Sequence, residues 1–271
     1  EELAAGRQRI AELHDRGLDG VQVCGKLASL VDAALLKLLL ASLDSYEKNF
    51  GPVRHRVAVV ELGSHGRRQA APFSDVDLMI LHEGVGESVT PLVRDFTQAI
   101  YDTGLQLGHS VRTPAEATTL ARDDAVICSS LIDARLLSGS QPLFDRFRES
   151  FSRMVRRRAK QVAKALETAR NSERHQYGES VYQLEPHVKR SRGGLRDLHF
   201  IRWLGFVEHG ESDPDRLHMM GALTKLEYRR YQSAQALLLR LRNEMHFHAG
   251  NAKDLLDRAE QLRIAEKFDY R

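Results

Sequence analysis

The sequence predicts a mixed α/β unit followed by an all-helical one. Three observations predict it. Short β-branched apolar runs alternate with helical periodicity up to about residue 112, no convincing strand appears beyond about residue 143, and a Gly/Pro-rich basic stretch at 176–193 interrupts the helical half. The expected domain boundary lies between residues 142 and 143, giving domains 1–142 and 143–271.

The elements follow in order. Residues 1–17 read as a polar helix and 21–49 as a longer one, with Leu27, Leu30, Val31, Ala34, Leu35, Leu38 and Leu39 on one stripe. Gly51-Pro52 ends it. Residues 56–62, Arg-Val-Ala-Val-Val-Glu-Leu, are β-branched and apolar, as a buried strand requires. A short helix over 64–71 stops at Pro72. A second strand covers 76–82, a helix 88–103 and a third strand 105–112. Helices are then expected over 114–121, 124–138, 143–175, 194–209, 221–248 and 254–267.

Composition excludes several classes. The chain has 271 residues, 42% apolar and 28% charged, as in ordinary globular proteins. A net charge of +3 is too mild for a dedicated nucleic-acid binder. The basic run Arg153–Lys160 spreads around its helix without stacking aromatics and reads as a solvated face. Two distant cysteines, Cys24 and Cys128, argue against a disulfide framework or a cysteine zinc site and fit a cytoplasmic protein. The N-terminus lacks the apolar core of a signal peptide, and the Leu30–Leu43 run is interrupted by Asp32 and Lys37, so no membrane span is expected. The scattered histidines read as surface or hydrogen-bonding residues, and Trp203 as core.

Residues 62–81 carry the chemistry. A small-residue turn, Gly63-Ser64-His65-Gly66, is followed by Ser74-Asp75-Val76-Asp77 opening an apolar strand. Strand alternation puts Asp75 and Asp77 on one face, about 6.6 Å apart. Carboxylates so placed can share two divalent ions about 3.5–4 Å apart. Magnesium, a hard ion that takes carboxylate and phosphate oxygens, is the expected cofactor, with manganese as an alternative. Gly63 and Ser64 let phosphate approach backbone N–H groups, and the fork of Arg67 suits a phosphate.

This composite resembles the signature of the polymerase-β-like nucleotidyltransferase superfamily. The resemblance implies that the glycine–serine pair grips a triphosphate while Asp75 and Asp77 hold metal. Residues 177–203, with Gly193-Gly194-Leu195-Arg196-Asp197, are similar to the region after the catalytic domain of bacterial PII uridylyltransferases. Gly108-His109-Ser110-Val111-Arg112-Thr113, Leu131 to Gly139, and Leu241-Arg242-Asn243-Glu244 fit the same family. Lys189 and Arg192 are expected in a mobile cationic loop that contacts phosphate.

The resemblance implies transfer of UMP from UTP to a tyrosine hydroxyl of the trimeric signalling protein PII, releasing diphosphate, with no nucleic acid or membrane involved. The family continues into HD-type and ACT domains. Neither is expected before Arg271, so the sequence reads as a truncated form without uridylyl removal or glutamine regulation. Two departures matter. Gln69 stands where the family often has an acid, and the third strand offers no third carboxylate. Asp124, Glu185 or Asp197 are the candidates to replace it. The alternatives are an adenylyltransferase acting on another protein, such as glutamine synthetase, and a catalytically silent nucleotide-binding module.

Overall fold

The computed structural model describes residues 2–53, 56–84 and 86–269. Glu1, at the start of the first expected helix, and Tyr270 and Arg271, at the end of the expected helical domain, lie outside them. The elements run α1 (Glu2–Asp15), α2 (Gly20–Phe50), β1 (Val57–Glu61), α3 (Gly63–Gly66), β2 (Val76–His82), α4 (Gly86–Asp102), β3 (Leu107–Arg112), α5 (Pro114–Asp123), α6 (Ala125–Ile132) and β4 (Arg135–Gly139). The helices α7 (Gln141–Arg157), α8 (Ala159–Tyr177), α9 (Leu195–His209), α10 (Pro214–Met219), α11 (Lys225–Ala249) and α12 (Arg258–Lys267) follow.

The chain divides into two compact units. The first comprises Glu1–Leu3, Ala28–Ala70 and Ser74–Arg158; the second comprises Ala4–Leu27, Ala71–Phe73 and Ala159–Arg271. The division after Arg158 falls later than the expected 142/143. The reason is α7, which buries Leu143, Phe147, Phe151 and Val155 at four-residue spacing and packs on α5, β1 and β2.

In the first unit the sheet order is β3-β2-β1-β4. β1 is antiparallel to β2 and β4, and β3 is parallel to β2, so the sheet is mixed. Val59, Val76, Leu78 and Ile80 face Val31, Leu35 and Leu39 of α2 and Val89, Val93, Phe96 and Ile100 of α4 in one apolar core. Each such side chain contributes roughly 1.5–3 kcal/mol by leaving water. β2 residues of the other parity, Asp77, Met79 and Leu81, point to the opposite face. That face is buried at Met79 and Leu81 and exposed at Asp77.

Three expected elements differ. The helix read over 124–138 ends at Ile132, and residues 135–139 form β4. Pairing with β1 (Val60↔Leu136, Val59↔Ser138) overrides local propensity. Gly139 permits it, with φ +102 and no room for a Cβ, which would lie 2.3 Å from the Val57 carbonyl oxygen. The helix read over 143–175 breaks at Arg158, whose φ of −122° and ψ of 28° leave the α region. The short helix read over 64–71 is only the single turn α3.

The second unit is helical. Cys24, Leu195, Leu198, Tyr231 and Leu239 form one core cluster, and Val188, Met245 and Ile264 another. α11 starts behind a capping box made by Thr224 and Glu227 and stops at Gly250 in the left-handed region. The basic stretch read as a mobile loop is pinned: Val188 N–H donates to the Asp254 carbonyl at 2.8 Å, Leu195 N–H to the Val188 carbonyl at 3.0 Å, and Leu256 N–H to the Pro186 carbonyl at 2.9 Å. Cys24 and Cys128 are free and buried. Burial pushes their thiols up, to about 11 and about 12, so neither is a ready nucleophile. Trp203 is buried, as expected.

Candidate active site

β1 leads into a tight elbow. Leu62 N–H donates to the Asp77 carbonyl at 2.9 Å, which fixes the elbow to β2. Gly63 adopts φ +54, and a Cβ there would lie 3.4 Å from Asp77 Oδ2. Gly66 has no room at all: a Cβ would sit 2.1 Å from the Asp133 carbonyl oxygen. The glycines of the turn are therefore required by close packing and by backbone geometry.

Across β2 lies β3, with Asp77 in register with Gly108. A Cβ at Gly108 would come within 2.7 Å of Asp77 Oδ1. The Asp77 carboxylate thus sits between two glycines, Oδ2 toward the elbow and Oδ1 toward β3. Asp75, two residues earlier, is exposed as Asp77 is. Ser64 lies in the elbow and is partly exposed. A cleft of about 380 Å³ opens beside Asp77, between Leu62 at the elbow, β2, β3, α5 and α6.

The elbow rests on buried charge. Arg67, expected to face phosphate, instead turns inward and pairs with Asp133 at 2.5 Å, with 5% and 0% of their side chains exposed. A buried guanidinium needs a carboxylate partner, and that need outweighs the local sequence pattern. Arg68, in the left-handed region at φ 58, reaches Asp32 on α2 at 2.8 Å. Arg135 on β4 bonds both Asp32, at 3.0 Å, and Glu61, the last residue of β1.

This cluster has a pH signature. Burial pushes the Glu61 carboxyl up to about 8 against the pull of Arg135. Burial also acts on Asp32, but hydrogen bonds and charge from Arg135 outweigh it and hold Asp32 below the usual range. Burial depresses His65 to about 4, and neither of its ring nitrogens has a hydrogen-bond partner among the described residues. His65 favours folding increasingly as pH rises from about 4 to 6.5, where the unfolded chain holds more protons. Glu61 does the reverse from 4.5 to about 8, where the folded chain holds more. The two oppose each other up to 6.5, and only Glu61 acts above it. Stability is expected to fall between pH 6.5 and 8, and Glu61→Gln to flatten that fall. Thermal melting across this window checks it; an unchanged slope in the variant counts against a protonated Glu61.

The remaining expected site residues are placed as follows. Asp124 caps α6, accepting from Val126 N–H at 2.7 Å and Ile127 N–H at 3.0 Å. Asp197, in the second unit, accepts from Arg170 and Arg174, both at 2.7 Å, and from Gly193 N–H at 2.7 Å. Glu185 accepts from Arg258 N–H at 3.1 Å. Each carboxylate thus has a structural task. Lys189 and Arg192 belong to the second unit. Lys189 is half-buried, and burial pushes its ammonium down to about 8. Arg192 is exposed and donates to the Glu179 carbonyl at 3.4 Å. His246 and His248 bond Asp254 and Glu260. The Asp32–Glu61–Arg135 cluster escaped sequence reasoning, although an acid ending the apolar run Val57–Val60 was a readable sign of it.

Among the described residues no group of three histidine, cysteine or acid side chains could hold a metal. Asp75, just before β2, and Asp77, within it, still fit magnesium, because both are exposed carboxylates two residues apart and a triphosphate and water supply further hard oxygens.

The profile of a nucleotidyltransferase family, DUF294, matches residues 5–111, and that of GlnD PII-uridylyltransferase matches residues 148–271. Residues 148–271 thus match the PII-uridylyltransferase family, and the chain as a whole resembles part of such an enzyme. Bifunctional uridylyltransferase/uridylyl-removing enzymes are similar to it along its whole length: 32% identity over 281 residues in Erythrobacter litoralis and 34% over 279 in Methylococcus capsulatus. The protein of that name from Burkholderia orbicola is 35% identical over 215 residues, 79% of this chain. The chain spans 30%, 31% and 25% of these relatives, respectively. No helix among the described residues is long and apolar enough to cross a membrane.

Proposed function

We propose that the first unit transfers UMP from UTP to a tyrosine hydroxyl of PII, releasing diphosphate. The observation that carries this reading is the Asp77 carboxylate held between Gly63 and Gly108, with Asp75 exposed two residues earlier. The family's uridylyltransferase relatives support the donor and the kind of acceptor. Asp75 and Asp77 would hold magnesium, which when bound neutralises phosphate charge and favours the ionised acceptor hydroxyl. The chain's own contribution is positioning. Gly63 keeps the elbow free of side-chain bulk, Ser64 offers a hydroxyl donor, and the buried Arg67–Asp133 pair holds both in place.

The test is mass spectrometry of PII after incubation with the protein, magnesium and each nucleoside triphosphate in turn. PII is expected to gain one uridylyl group, and only with UTP. Modification by ATP alone rejects the donor, and modification of glutamine synthetase but not PII rejects the acceptor. The lack of a three-ligand cluster among the described residues motivates a second reading, a silent nucleotide-binding module. Tight UTP binding without diphosphate release in the same assay would favour it.

A further inference from the structure

We infer that the cleft beside Asp77, between β3 and the α5–α6 helices, is the acceptor subsite and takes an aromatic side chain bearing a hydroxyl. The inference rests on the nucleotidyltransferase reading and adds where each substrate lies. Its basis is the division of Asp77. β2 lies between β1 and β3 in the sheet. The elbow after β1 approaches Oδ2, whereas Gly108 of β3 approaches Oδ1. Phosphoryl transfer runs in line, with attacking and leaving oxygens on opposite sides of the phosphorus. With the leaving diphosphate on the elbow side, the nucleophile enters from the β3 side.

The cleft reaches Leu62 at the elbow but extends mainly to the β3 side, where Gly108, His109, Ser110 and Arg112 line it. Its volume of about 380 Å³ lies at the small end for ligand sites. Ala117, Val126, Ile127 and Leu131 line it, and Ser110 and Ser130 add hydroxyls. Apolar walls with a few polar groups suit an aromatic ring with a polar tip. Val126 is 70% exposed, a large apolar side chain left in water at the cleft lining. An acceptor ring would cover it.

The step balances. A bond forms from the phenolic oxygen to the α-phosphorus, and the bond from that phosphorus to the bridging oxygen breaks. Diphosphate leaves with the electron pair, and the phenolic proton passes to water.

Val126→Trp and Ile127→Trp test this by filling the cleft. Val126 is exposed, so its variant keeps the fold. Two quantities are read: the KM for purified PII, and the Kd of a non-hydrolysable UTP analogue measured without PII. We expect the PII KM to rise tenfold or more while the analogue Kd stays within twofold. A tenfold weaker analogue Kd with an unchanged PII KM would overturn the inference and place the nucleobase in the cleft. No change in either quantity would overturn it too. If the unsubstituted protein binds no analogue, the nucleotidyltransferase reading fails, and this inference with it.

Discussion

Asp77→Asn is expected to lower the rate of uridylyl transfer by about 10³-fold or more, and Asp75→Asn by a similar factor. That is about 4 kcal/mol of barrier. Asparagine keeps the shape and removes the charge, so the loss reports on what the carboxylate does to the triphosphate. Both aspartates are exposed, and surface substitutions usually change stability by no more than about 0.5 kcal/mol. Melting curves should therefore overlay. Gly108→Ala gives an independent version of the same experiment. Its Cβ would lie 2.7 Å from Asp77 Oδ1, so the carboxylate must turn away while its charge remains. A loss of transfer in Gly108→Ala with normal folding would show that the placement of the carboxylate matters as well as its presence. Transfer within tenfold of the parent in both asparagine variants would end the assignment.

These residues are legible in the sequence because their signals are local. Asp75 and Asp77 sit two residues apart at the start of an apolar strand, and Gly63 sits where the preceding strand must turn sharply. The fold class is legible for the same reason, as apolar runs at period two or 3.6 report which face is buried. What stays hidden depends on partners distant in sequence. Residues 135–139 form a strand because β1 offers an edge, and no helix-breaking residue separates them from α6. α7 and α8 part at Arg158 inside a basic run with neither glycine nor proline. Arg67 has the sequence signature of a phosphate ligand because arginine beside a glycine turn often is one. Its partner Asp133 lies 66 residues away. Sequence spacing reports the period of an element but not which distant charge will neutralise a buried one.

That pair carries the second large effect. Asp133→Ala is expected to destabilise the first unit by about 3–5 kcal/mol, the range for removing one partner of a buried ion pair. The Asp133 side chain is fully buried and that of Arg67 almost so, which leaves a guanidinium in a low-dielectric site without its carboxylate. Urea denaturation measures the loss, and Arg67→Met in the Asp133→Leu background should recover most of it, because an apolar pair of similar volume needs no charge partner. Recovery would separate two roles. A double variant that regains stability and keeps nucleotide binding would make the pair a structural pin for the elbow. One that regains stability but loses binding would return Arg67 to the phosphates, the role its place beside the glycine turn suggests. The buried geometry favours the pin: an arginine that reached phosphate would have to abandon Asp133, and the carboxylate left behind would suffer the same desolvation penalty that Asp133→Ala imposes on Arg67.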